Sequence, residues 1–187
     1  MVNNTIIIGF CAAPNAQRTM IYQRILNALS QKVDVMGYSL DYENEGKMNT
    51  FESHYKTALR YMLKDIENRS LAREKNIGVL LYQFTPFDII ASTMAEQTIM
   101  PEYSKIIKSM LSEHVKKFPF SMVFYCEFFP VPKHYQDYDK KTIFQLRVDT
   151  HIIRQLETMP FETITKSDID DRVKTALDLI LQKCSKN

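Results

Sequence analysis

The stretch that most constrains what this chain can fold into runs from Thr5 to Leu29. It opens on an apolar run, Thr5-Ile6-Ile7-Ile8, passes through a loop from Gly9 to Thr19, and continues into a helix-like segment beginning near Arg18. In that segment Met20, Ile21, Ile25, Leu26 and Leu29 recur at helical spacing, which predicts one face packed on a sheet. A short, uninterrupted apolar run suits a strand covered on both faces, the environment of a parallel sheet. The order is therefore strand, loop, helix, with the loop at the carboxyl end of a buried strand.

That position is where phosphates are cradled, because the N–H groups of a turn and the positive end of a helix converge on one anion. The eight residues Ala12 to Thr19 sit in the frame of G-x-x-x-x-G-K-[ST]. Ala12 stands for the first glycine, Gln17 for the second and Arg18 for the lysine, while Thr19 is intact. Ala12-Ala13-Pro14-Asn15-Ala16-Gln17-Arg18-Thr19 resembles a worn copy of the G-x-P-N-A-G-K-T loop of P-loop NTPases. A residue with a side chain forced to positive φ costs about 1–2 kcal/mol, so the loop is expected to be strained at the glycine positions or to take another shape. Arg18 keeps the lysine's charge, but its planar fork does not reproduce a compact ammonium between the β- and γ-phosphates. Pro14, Asn15, Ala16, Gln17, Arg18 and Thr19 are the candidate phosphate-binding residues, with the Thr19 hydroxyl a candidate magnesium ligand. A threonine in the first turn of a helix is also common without any metal.

Downstream, strands and helices alternate. Val33 to Tyr38 reads as a second strand, followed by a polar loop from Ser39 to Lys47 carrying Asp41, Glu43 and Glu45. Asn49 with Glu52 resembles a capping box for a long helix to about Lys75, with Phe51, Tyr55, Ala58, Leu59, Met62, Leu63 and Ile66 at helical spacing. Ile77 to Leu81 is a third strand, Pro86 and Pro101 open two further helices, and the second of these places Ile106, Ile107, Met110, Leu111 and Val115 inward. Ser121 to Phe128 is the fourth strand. Pro130 and Pro132 lead into a polar loop from Lys133 to Thr142, then a helix from Ile143 to Leu156, a short strand from Phe161 to Ile164, and a final helix capped by Ser167. The expected fold is α/β: a three-layer sandwich with a mainly parallel five-stranded sheet and helices on both faces, in one domain over residues 1–187.

With 45% hydrophobic and 25% charged residues the composition is globular, and a net charge of +2 does not by itself point to nucleic acid. Cys11, Cys126 and Cys184 form no C-x-x-C pair and read as thiols of a reducing, cytoplasmic compartment, and no stretch reads as a membrane anchor. His54, His114, His134 and His151 lack metal-ligand spacing. The aromatic-rich stretch from Phe118 to Tyr138, with its nearby lysines, reads as core rather than as a nucleic-acid platform.

Three further segments extend the resemblance to the small P-loop kinases that include nicotinamide riboside kinases, deoxynucleoside kinases and thymidylate-kinase-like proteins. Gln83-Phe84-Thr85-Pro86-Phe87-Asp88-Ile89-Ile90-Ala91 is similar to that family's D-R-S-P-x-D-x-x-A segment, with Pro86, Asp88 and Ala91 matching and the Asp-Arg pair replaced by Gln83-Phe84. Asp137-Tyr138-Asp139-Lys140 followed by Arg147 looks like its lid, here about residues 131–147, and Ser167 to Val173 resembles its last helix. The resemblance implies Mg2+ with ATP or GTP, a carboxylate for the metal (Glu127 or Asp88), an acceptor base (Asp41 or Glu43) and lid cations (Lys140, Lys141, Arg147).

Each assignment has a plainer alternative. Asp41 and Glu43 are also read as solvated loop acids, Asp88 as a first-turn carboxylate complementing a helix dipole, and Glu127 as a solvent-facing side chain. Lys140 and Lys141 suit an exposed pair, and Arg147 a surface ion pair with Asp149 or another acid. The loop and the Asp-Arg pair are altered together, so the leading expectation is a pseudoenzyme: a catalytically impaired module that binds a nucleotide, a protein partner or a second copy of itself. The alternative is an active nucleoside or nucleotide kinase using Arg18 for the loop lysine.

Overall fold

A computed structural model describes residues 5–14, 17–39, 50–128, 138–158, 161–164 and 168–185. Along the chain run β1 (Ile6–Cys11), α1 (Arg18–Leu29), β2 (Val35–Tyr38), α2 (Phe51–Glu74), β3 (Val79–Tyr82), α3 (Pro86–Ala95), α4 (Pro101–Lys117), β4 (Met122–Cys126), α5 (Lys140–Leu156), β5 (Glu162–Ile164) and α6 (Ile169–Cys184). The sheet order is β2-β3-β1-β4-β5 and every pairing is parallel, as expected from the alternation.

β1 lies at the centre and its six residues are all buried. Side chains alternate across a strand, so Ile6, Ile8 and Phe10 enter one core with Ile21, Ile25 and Leu29 of α1 and Ala176 and Ile180 of α6. Ile7 enters the opposite core, with Ala58 and Tyr61 of α2, Ile89 of α3 and Ile107 and Leu111 of α4. Cys11 faces the same side further along, against Ala91 of α3 and Val148 and Ile152 of α5. Helices thus cover both faces, and the loop after β1 emerges where α1 departs on one face and α3 begins on the other. Gly9 is required here: a Cβ would lie 2.7 Å from Thr85 Cγ2 and 2.9 Å from the Phe120 ring.

Several local readings change. β1 continues through Gly9-Phe10-Cys11, so the loop starts only at Ala12. α2 is capped by Thr50, whose hydroxyl accepts the Ser53 N–H, one residue after the expected Asn49. α6 is capped by Asp168, which accepts the N–H groups of Asp170 and Asp171, while Ser167, the expected cap, lies outside the described residues. Lys140 to Thr142, expected in a loop, already belong to α5, because Asp139 accepts the Thr142 N–H and starts the helix early. Met20 and Ile106, expected inward, are about half exposed, and Leu63 is 64% exposed.

Candidate functional site

The loop, α1 and the start of α3 meet at Asp88. Pro86 opens α3 with its fixed φ, and Asp88 falls at the third helical position, where a carboxylate reaches back to free N–H groups. Asp88 Oδ2 accepts the Thr85 N–H at 2.7 Å and the Thr85 hydroxyl at 2.7 Å. Its Oδ1 accepts the Ala12 N–H at 3.0 Å and pairs with an Nη of Arg18. The carboxylate is 2% exposed and two bonds reach each oxygen, which fills its acceptor capacity. Burial pushes its pKa above the ordinary value, opposed by the Arg18 charge and by the hydrogen bonds from Ala12 and Thr85.

Arg18 is therefore turned back into the protein. Its guanidinium lies 4.8 Å from the centroid of the buried Phe84 ring, reaches the Ala12 carbonyl at 3.5 Å, and leaves Nε without a partner. Phe84 stands where the resemblance places an arginine, and the ring supplies a flat apolar face on which a guanidinium stacks. Gln17, at the second glycine position, has φ 59° and ψ 10° and precedes α1 without a side-chain cap. The backbone thus keeps the left-handed turn that glycine would supply, and Gln17 bears its cost. Thr19 is exposed, and its hydroxyl accepts the Gln83 amide at 2.9 Å. Gln83 stands at the position of the family's leading aspartate, so an amide donor points at the hydroxyl where a carboxylate would face a metal.

The other candidates are dispersed or lie outside the described residues. Asn15, Ala16 and Asp41, with Glu43, fall outside them. Pro14 is exposed and has no N–H to offer. Glu127 follows β4 half-buried, and its charge helps to raise both Tyr125 and Asp149. Asp149, on α5, accepts the Tyr125 hydroxyl at 2.8 Å; burial pushes its pKa up to about 6 against that hydrogen bond, with Glu127 adding to the rise. Lys140 and Lys141 are exposed in the first turn of α5, and Arg147 is half-buried one to two turns later.

The structure brings together Arg18, Asp88 and Ala12, and separately Thr19 with Gln83. Sequence reasoning read Asp88 as a first-turn carboxylate but missed Thr85 and Phe84, although the capping-box spacing of Thr85-Pro86-Phe87-Asp88 could have named Thr85 as its partner. A magnesium–triphosphate needs free oxygen ligands and a cation facing the loop. Asp88 has no lone pair left, Thr19 faces an amide donor and Arg18 faces inward, so these residues do not fit that group in this arrangement. Among the described residues no cluster of three or more His, Cys, Asp or Glu could hold a metal ion, and no helix is long and apolar enough to cross a membrane.

No family model and no curated protein sequence matches the chain. Solved structures do. Thymidylate kinase from Ehrlichia chaffeensis is 11% identical, with a TM-score of 0.66 over 94% of this chain and 98% of that one. Deoxyadenosine kinase from M. mycoides with dATP bound is 12% identical, with a TM-score of 0.64 over 96% of this chain and 100% of that one. The same kinase with dCMP and a flexible dCDP matches at 11% identity and a TM-score of 0.61, over 97% and 100%. The chain has the P-loop kinase-like α/β fold across essentially its whole length.

Proposed function

We propose that this chain is a catalytically impaired P-loop kinase-like module that retains the anion-binding loop without the phosphoryl-transfer apparatus. The observation that carries the reading is the inward turn of Arg18 onto Asp88. Phosphoryl transfer is almost entirely positioning and electrostatic stabilisation, so it fails when the loop cation and the metal carboxylate neutralise one another. The Gln83–Thr19 hydrogen bond supports the same reading at the metal position. What remains suited to an anion is the turn at Gln17 and the first turn of α1, which carries no acidic residue. A nucleotide of the kind named in the solved relatives is the proposed ligand.

The test is phosphoryl transfer from magnesium ATP or GTP to a panel of nucleosides, deoxynucleosides and nucleoside monophosphates, beside thermal unfolding with the same donors. The expected result is no transfer, with a nucleotide-dependent rise in melting temperature. Ligand at about 100 times its Kd adds roughly 2.7 kcal/mol, or about 5–10 °C for a domain of this size. Transfer that Arg18→Ala abolishes would overturn the reading in favour of an active kinase.

A further inference from the structure

We infer that Asp88 is an intramolecular stand-in for phosphate: an autoinhibitory latch that holds Arg18 away from the loop, so that an anion binds tightly only when Arg18 exchanges the Asp88 carboxylate for it. This rests on the reading of the loop as an anion-binding module.

The two halves of the latch are held very differently. Asp88 is fixed without Arg18, because the Thr85 N–H, the Thr85 hydroxyl and the Ala12 N–H keep its carboxylate in place from α3 and from the loop itself. Arg18 is held by its pair with Oδ1, by a long contact to the Ala12 carbonyl and by the non-directional face of Phe84. Its Nε has no partner, and its side chain keeps 16% of its surface exposed. Arg18 is thus the moving part. It is the first residue of α1, so outward rotation brings its guanidinium beside the unopposed N–H groups of that helix start. Cation and amides then face the same anion, a combination that the latched state does not offer.

The latch lowers the wild type's apparent affinity by the fraction of molecules in the open state. A charge-assisted hydrogen bond of the usual strength corresponds to about a ten- to hundredfold preference for the latched state. The test is titration with inorganic tripolyphosphate at fixed ionic strength of the wild type, Asp88→Asn, Arg18→Ala/Asp88→Asn and Phe84→Leu. Asp88→Asn keeps an oxygen for the Thr85 donors but removes the charge that holds Arg18. It should bind about ten- to a hundredfold tighter. The double variant should lose that gain, because the gain is delivered by Arg18. Phe84→Leu keeps both charges, loosens only the stacking face, and should bind a few-fold tighter.

A folded Asp88→Asn within twofold of the wild type overturns the latch, as does the absence of tripolyphosphate binding in every variant. Should Asp88→Asn fail to fold, Phe84→Leu decides, and no gain there overturns it. Turnover of magnesium ATP would remove the impaired-module reading while leaving the latch to stand on the affinities.

Discussion

Removing Arg18 should destabilise the fold in a way that depends on pH, and the size follows from what Asp88 is left with. Arg18→Ala strips the charge partner from a carboxylate that is 2% exposed while leaving three hydrogen-bond donors around it. Breaking a buried pair by deleting one partner costs about 3–5 kcal/mol, and the remaining donors place this case near about 3. For a domain of this size that is a fall in melting temperature of about 6–12 °C. The sign with pH is fixed by the direction of the Asp88 shift. Its folded pKa already lies above the ordinary carboxylate value, mainly through burial, and Arg18 is the largest opposing influence. A carboxyl of this kind contributes stability in full below its unfolded pKa and loses it as pH rises through the folded pKa. Without Arg18 the folded pKa rises further, so the variant's deficit is smallest under acid conditions and grows toward neutral pH. Urea unfolding at pH 5 and pH 8 reads this directly. The deficit should be larger at pH 8, and Arg18→Ala/Asp88→Asn should recover most of it there. A loss below about 0.5 kcal/mol, or one equal at the two pH values, would refute the reasoning.

Asp65 on α2 is the second buried carboxylate, accepting Arg69 Nε at 2.7 Å and lying 2.7 Å from His114 Nε2 of α4. Burial acts to raise its pKa, but the His114 hydrogen bond and the Arg69 charge outweigh it and hold the pKa below the ordinary value. Its stabilisation is therefore present above the unfolded carboxylate pKa and lost as pH falls through the folded one. Asp65→Ala should cost about 3–5 kcal/mol at pH 7, measured by urea unfolding, and less under acid conditions. Asp149, pushed up to about 6 by burial, has the opposite sign: its contribution is lost as pH rises through about 6. Asp149→Asn keeps an acceptor for Tyr125 and should raise stability at pH 8 by about 1 kcal/mol after allowance for solvent screening, with no gain at pH 4. Gly9→Ala would drive a methyl into Thr85 and Phe120, costing about 1–3 kcal/mol. It should also loosen Arg18 by displacing a donor to Asp88, read as an altered tripolyphosphate affinity.

The layers of the fold were legible because burial imposes a period. Ile6-Ile7-Ile8 can sit uninterrupted only in a strand covered on both sides, and Ile21, Ile25 and Leu29 repeat at the helical interval that meets it. The same rule misplaced parts of α2 and α4. It counted Leu59, Leu63 and Ile66 in one helical repeat with Ala58 and Met62 of α2, yet these three are exposed while His54, Thr57, Asp65 and Arg69 are buried. Apolar spacing is blind to a face whose polar residues satisfy one another, and Asp65–Arg69 at i,i+4 does that with His114 from α4. Helix starts were off by a residue wherever two capping residues stand side by side, as Asn49 and Thr50 do.

The site was legible in location but not in direction, and the reason is electrostatic. A sequence frame assigns Arg18 to the loop because the loop normally presents its cation to phosphate. It carries no information about a carboxylate seventy residues away that competes for the same guanidinium. What decides the competition is burial: Asp88 at the start of α3 is desolvated in the fold and draws the nearest cation, whereas the loop mouth at Pro14, Gln17 and Thr19 is exposed. Phe84 stands where the resemblance places an arginine, so the wall offers a ring that holds Arg18 and not a charge that would repel it. Arg18 and Phe84 thus meet directly, while Gln83 meets the loop separately at Thr19. A lysine at 18 would still place a cation beside Asp88.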